Sequence, residues 1–148
     1  MIKNFYILIK IFFLICFLST NVLADKSKSF DKGKKLFEKN NYEKSKFYFE
    51  KELVFDPLHE YSYLYLAKIF NKNENEDEEE KNLDSVLLLN PQNEEAVYML
   101  TLLKIKQSNY NAAKDLIETF DLVCESFCNK KNEITKKFNE LLPENDNQ

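Results

Sequence analysis

A fixed period of 34 residues runs through this chain. Asp56-Pro57 and Asn90-Pro91 occupy the same slot one period apart. Stepping by 34 elsewhere aligns Gly33, Ala67 and Thr101, all small, and Phe49, Leu83 and Ile117, all large and apolar. It also aligns Phe55, Leu89 and Val123, while Tyr42 and Tyr110 stand two periods apart. No insertion is needed across Lys26–His59, Glu60–Asn93 and Glu94–Phe127. A period of this length means stacked supersecondary units, because a single short unit cannot bury its apolar face alone.

The breakers decide which units these are. Only 3 Pro and 1 Gly occur in 148 residues. Strand proteins need turn residues every few positions, so the expectation is all-α, with paired helices joined by short turns. The 13 Phe and 8 Tyr supply the bulky apolar volume. Small residues belong where paired helices cross. Asn41, Asn93 and Asn109 are placed to cap helix starts with a side-chain oxygen. Glu94 and Glu95 fall in a first turn, where the helix dipole favours negative charge. After the third period, Ile134, Phe138, Leu141 and Leu142 form an i, i+4, i+7, i+8 stripe, as expected of a final helix covering the last unit, with Pro143 ending it.

Residues 1–24 have the three parts of a secretory signal in order: Lys3 near the start, an apolar run from Ile11 to Leu18, and Val22-Leu23-Ala24 before hydrophilic Asp25. A membrane span needs about 20 apolar residues, and Lys10 interrupts this stretch. Cleavage after Ala24 is the expectation, an uncleaved anchor the alternative. Ile15 before Cys16 is too large for lipidation there. The expected organisation is a signal over 1–24, a helical repeat domain over 25–143 and a disordered tail over 144–148. Export, most simply to a periplasm, follows.

Without Lys3 and Lys10, 19 of the 21 basic residues remain against 25 acidic ones. This sign is opposite to that of a protein that neutralises phosphates, so nucleic acid is not an expected partner. No metal-ligand spacing, phosphate loop or nucleophile motif occurs, so no cofactor, metal, small-molecule substrate or catalytic residue is expected. His59 stands alone in a turn and reads as solvated surface. Glu74–Glu80 packs six acids into seven residues, lacks the Gly and spaced oxygens of a Ca²⁺ loop, and reads as a solvated, self-repelling turn.

Cys124 and Cys128 are the thiols left in the exported chain, and exported thiols tend to oxidise. At i, i+4 on a continuous helix their Cβ atoms would be ~5–6 Å apart, whereas a disulfide needs ~3.5–4.5 Å. A bond therefore requires the helix to end near Val123. It would be a structural clip, with thiol exchange as the alternative role.

The stretch from Phe30 to Pro57, FDKGKKLFEKNNYEKSKFYFEKELVFDP, resembles the tetratricopeptide repeat (TPR) family. Gly33 matches the close helix contact, Asn40-Asn41-Tyr42 the turn into the second helix, and Asp56-Pro57 the exit. Lys32, Glu76, Glu79 and Glu125 depart from the pattern. The resemblance implies an α-solenoid of about three hairpins plus a C-terminal capping helix. It also implies that the first helix of each repeat lines a concave groove for another protein or an extended peptide. By position that groove would hold Phe30, Lys34 and Phe37, then Tyr61, Leu64, Lys68 and Lys72, then Tyr98, Leu102 and Lys106. Such a face suits apolar and acidic side chains. Phe30, Tyr65, Glu95 and Met99 fall on positions where chaperone-binding members carry a carboxylate clamp, so that clamp is not expected. The function implied is a non-catalytic protein-binding adaptor. The alternatives are a thiol-exchange accessory and a membrane-tethered scaffold.

Overall fold

The structure, a computed structural model, describes residues 22–140, with side chains from residue 28 onward. The expected signal up to residue 21, Leu141, Leu142, Pro143 and the expected tail lie outside the described residues, and the boundary expected after Ala24 falls inside the first helix. The described residues form an all-α architecture that divides into two compact units at Pro57 and Leu58.

In the first unit, α1 (Val22–Glu38) and α2 (Tyr42–Phe55) form a hairpin. They cross at Gly33, where a Cβ would lie 2.7 Å from Cε1 of the buried Phe49 ring. The buried Ser45 hydroxyl donates to the Gly33 carbonyl at 2.8 Å. The crossing expected from the period is therefore real, and a hydrogen bond fixes its register.

The second unit contains α3 (Glu60–Lys72), α4 (Glu76–Leu89), α5 (Glu94–Lys106) and α6 (Tyr110–Val123), then a 3-10 turn (Cys128–Lys130) and α7 (Lys131–Glu140). Leu64, Ala67, Leu83, Val86, Ala96, Leu100 and Leu103 make its main core. Val97, Phe120 and Ile134 make a second cluster, so α7 covers the last hairpin as its apolar stripe predicts. Phe138 adds an edge contact to Tyr110, with ring centroids 6.5 Å apart.

The three hairpin turns repeat at the same interval. Asn40, Glu74 and Ser108 all adopt positive φ, between 56° and 57°. At each turn the next residue's N–H bonds back to the carbonyl five residues earlier, as from Asn41 to the Leu36 carbonyl at 2.9 Å. This left-handed C-terminal motif satisfies carbonyls that would otherwise be orphaned. Asn41, Asn75 and Asn109 then cap the second helices, each accepting an N–H three residues on. Asn93 caps α5 at 2.9 Å, and His59 caps α3 through Nδ1, which accepts the Ser62 N–H at 3.2 Å. His59 is thus a helix cap, where the sequence suggested plain solvated surface.

The acidic run is also not a solvated turn. Asn75 caps it, and Glu76–Glu79 are the first turn of α4, at the helix end that favours negative charge. Its alternate members meet partners: Glu76 pairs with Lys106 at 2.8 Å, and Glu80 with Lys104 at 2.5 Å. Glu79 is buried and accepts from the Asn71 amide at 2.9 Å. Helical spacing aims these three acids at α3 and α5, so self-repulsion is offset by pairing.

Candidate functional site

Of the residues the resemblance assigns to a groove, Phe30, Lys34 and Phe37 belong to the first unit. Phe30 stacks toward Phe49 with centroids 5.6 Å apart, and Phe37 meets Tyr42 edge-on at 5.3 Å. Both rings therefore help to hold their own hairpin. Lys34 is half-buried.

In the second unit, Tyr61, Tyr65, Lys68 and Lys72 stand at i, i+4, i+7 and i+11 along α3, which places them on one helix face. Tyr61 is 55% exposed. The Lys68 ammonium lies 4.9 Å from the Tyr65 ring centroid and 2.8 Å from Glu95 of α5. The result is an aromatic face crossed by a neutralised ion pair, with exposed Lys72 at its far end.

One groove assignment, Leu64, needs correction, and two others, Leu102 and Tyr98, are only half-exposed. Leu64 is buried in the main core between helices. Leu102 packs against the Val97–Phe120–Ile134 cluster. Tyr98 is held by Phe120 and Phe127, at 6.3 and 6.2 Å, with the Lys130 ammonium 5.5 Å from its ring. Burial pushes the Tyr98 phenol up from its ordinary pKa, and a hydrogen bond with Glu133 adds to this. The reason is common to all three: neighbouring elements, α7 and its lead-in included, cover Leu64 wholly and Tyr98 and Leu102 in part. Lys106 keeps its exposed position. It is committed to Glu76, whose carboxyl its hydrogen bond holds below the usual range.

Glu60 and Glu94, one period apart, form a pair of clasps that the sequence reading missed. Glu60 Oε1 accepts from the side-chain amides of Asn90 at 3.1 Å and Asn93 at 2.5 Å, tying the α4–α5 turn to the head of α3. Glu94 does the same one repeat later. It accepts the backbone N–H groups of Glu125 at 2.6 Å, Ser126 at 3.0 Å and Phe127 at 3.0 Å, together with the Ser126 hydroxyl. Burial raises the Glu94 pKa, but these donors outweigh it and hold the carboxyl at about 2. The signal available in sequence was two glutamates at the same repeat position, each opening a first helix.

That clasped loop contains both cysteines. Helix α6 ends at Val123, Cys124 turns extended, and the Cα atoms of Cys124 and Cys128 come within 5.1 Å with their sulfurs in contact. The helix stop required for pairing is therefore present.

No protein-family model and no curated protein matches the chain. Solved structures do. The first TPR of Spaghetti (RPAP3) bound to the HSP90 peptide SRMEEVD is similar with a TM-score of 0.70 at 17% identity, over 78% of this chain and 92% of that one. The TPR2B domain of yeast Sti1, in complex with pHsp70, gives 0.70 at 13% identity over 78% and 96%. The Sgt2 TPR domain from Aspergillus fumigatus gives 0.65 at 16% identity over 78% and 80%. With the 34-residue register, the helical hairpins and these neighbours together, the chain has the all-α helical-repeat fold of the tetratricopeptide proteins.

Proposed function

We propose that this chain is a non-catalytic adaptor that binds another protein through an extended segment, exported after removal of residues 1–24. The observation that carries the reading is the Tyr61–Tyr65–Lys68–Lys72 face of α3, completed by Glu95. Aromatic side chains give large contact area at low entropy cost, and they dominate binding hot spots. Two of the similar structures described above hold peptide or protein ligands by name, and this supports a peptide ligand here. Glu95 changes what such a ligand can be. It neutralises Lys68, so the face does not offer the concentrated positive charge that a terminal carboxylate needs. An extended segment with apolar side chains and an acid near Lys72 fits better.

A crosslinking pull-down from the native compartment tests this. The Tyr61→Ala/Lys72→Glu double variant should lose the captured partner, with binding weakened by ~2 kcal/mol or more and helicity intact. Equal capture by wild type and variant would remove the face from consideration. Intact mass of the exported protein tests the signal: a chain still beginning at Met1 would favour the tethered reading. No helix among the described residues is long and apolar enough to cross a membrane.

A further inference from the structure

The outer helices carry a second periodic feature that neither the core nor the α3 face uses. Leu88 on α4 is 84% exposed and Leu122 on α6 is 87% exposed. They occupy the same repeat position, 34 residues apart. One turn before each, on the same helix face, stands an exposed acid, Asp84 and Glu118, again 34 apart. The first unit repeats the pair on α2 as Glu50 and Val54, the latter 77% exposed. A single exposed leucine is ordinary on a protein surface. An exposed acid followed four residues later by an exposed apolar side chain, at one register position in all three repeats, is a pattern. Packing does not demand it, because these side chains point away from buried Leu83, Val86 and Phe120.

A recess of about 300 Å³ lies beside the last of these residues, lined by Asn90, Gln92, Glu94, Leu122, Val123 and Glu125. Its wall is polar and acidic, with Leu122 contributing an apolar edge. That combination suits the long stem and charged head of a lysine or arginine side chain.

We propose that the outer face of α4 and α6 docks a basic amphipathic segment of a partner protein. Leu88 and Leu122 would meet its apolar residues, Asp84 and Glu118 its ammonium or guanidinium groups, and the recess beside Glu125 one inserted basic side chain. Charge selects this occupant. A second copy meeting this face symmetrically would set Asp84, Glu118 and Glu125 against their own kind, and an anionic lipid surface would be repelled in the same way. Lys81 and Lys114 lie one turn further back, and Lys81 is engaged with Glu78 at 3.5 Å. Lys104 of α5 also acts on Asp84, but it is paired with Glu80, so the acids beside the leucines keep a net negative face toward a partner. This surface is separate from the α3 face, so either can fail without the other.

The probe is a labelled helical peptide of alternating Leu and Lys blocks, titrated into the full chain by fluorescence anisotropy, with a Leu/Glu peptide of the same pattern as control. The Leu/Lys peptide should bind, and the Leu88→Ser/Leu122→Ser variant should weaken it about tenfold or more. Asp84→Asn/Glu118→Gln should weaken it and flatten its salt dependence, whereas Tyr61→Ala/Lys72→Glu should leave it unchanged. Equal binding of the Leu/Glu peptide would overturn the proposal. So would binding indifferent to all four outer-face substitutions, or self-association or anionic-vesicle binding that Leu88→Ser/Leu122→Ser abolishes. These four side chains are exposed, so the variants keep their fold, and a circular-dichroism melt verifies it.

Discussion

The Glu94 carboxylate accepts the backbone N–H of Phe127 at 3.0 Å, across 33 residues of chain, and with it those of Glu125 and Ser126. A side chain at the head of one helix thereby organises the loop that leaves the next. The pKa of this group is near 2 in the folded chain, against an ordinary 4.5. A depressed carboxyl stabilises the fold fully above the ordinary value and loses that contribution as pH falls from about 4.5 to about 2. Glu94→Gln should cost on the order of 1–2 kcal/mol at neutral pH, after allowance for solvent screening. It should cost little in strong acid. Urea melts of wild type and variant across that acid range measure this; a constant difference would show that the clasp is not electrostatic.

The helix crossings make a second prediction. Gly33→Ala gains about 1 kcal/mol of helix propensity but forces a methyl against the Phe49 ring. Overpacking of this kind costs ~1–3 kcal/mol, so the net effect should be a loss. Ala67→Leu has no offsetting gain and should cost the full ~1–3 kcal/mol. Thermal melts followed by circular dichroism give both values, and unchanged stability for Ala67→Leu would mean that this crossing is loosely packed.

Glu74 holds a left-handed conformation that suits Gly or Asn. Glu74→Gly should therefore stabilise by about 0.5–1 kcal/mol, because the turn geometry is kept and the Cβ penalty is removed. A lower melting temperature would mean that the side chain contributes more than its backbone strain costs.

Glu52 is 1% exposed, and its Oε2 has no hydrogen-bond partner. A buried unsatisfied polar atom costs roughly 1–3 kcal/mol. Glu52→Met keeps the volume and removes the polar atoms, so the denaturation midpoint should rise. A fall would reveal a role for the carboxylate that burial alone does not suggest.

If Cys124 and Cys128 are bonded, they close a very short loop, so the bond should add no more than about 2 kcal/mol. Thiol labelling without reductant should find neither sulfur reactive, and reduction should lower the melting temperature only modestly. Two freely labelled cysteines would rule the clip out.

The period made much of this fold legible. It located the crossing at Gly33, while disulfide geometry required the break after Val123 and the i, i+4 apolar stripe pointed to the covering role of Ile134. Pursued through the acidic run, it would also have found Asn75 as the cap between Asn41 and Asn109. His59 was missed because an imidazole is a rare cap, although it stands one period before Asn93. The ion pairs were not legible. Lys68–Glu95 and Lys106–Glu76 join residues on different helices, and residue type alone cannot say which lysine meets which acid. Repeat position likewise did not show that Leu64 is buried and Tyr98 and Leu102 half-covered, because that depends on what packs over them.

Helix α7 has one consequence for the chain as a polymerisable object. A stack of identical hairpins has no inherent end, because each leaves the same sticky surface for the next copy. Ile134 is fully buried against Val97 and Phe120, while Lys131, Asn132, Lys136, Lys137 and Asn139 turn toward water. The helix thus acts as a terminator: it occupies the place of another hairpin's first helix and offers the next molecule a hydrated, charged surface. Without it, the apolar surface of Val97 and Phe120 that Ile134 covers would lie open to water or to another molecule.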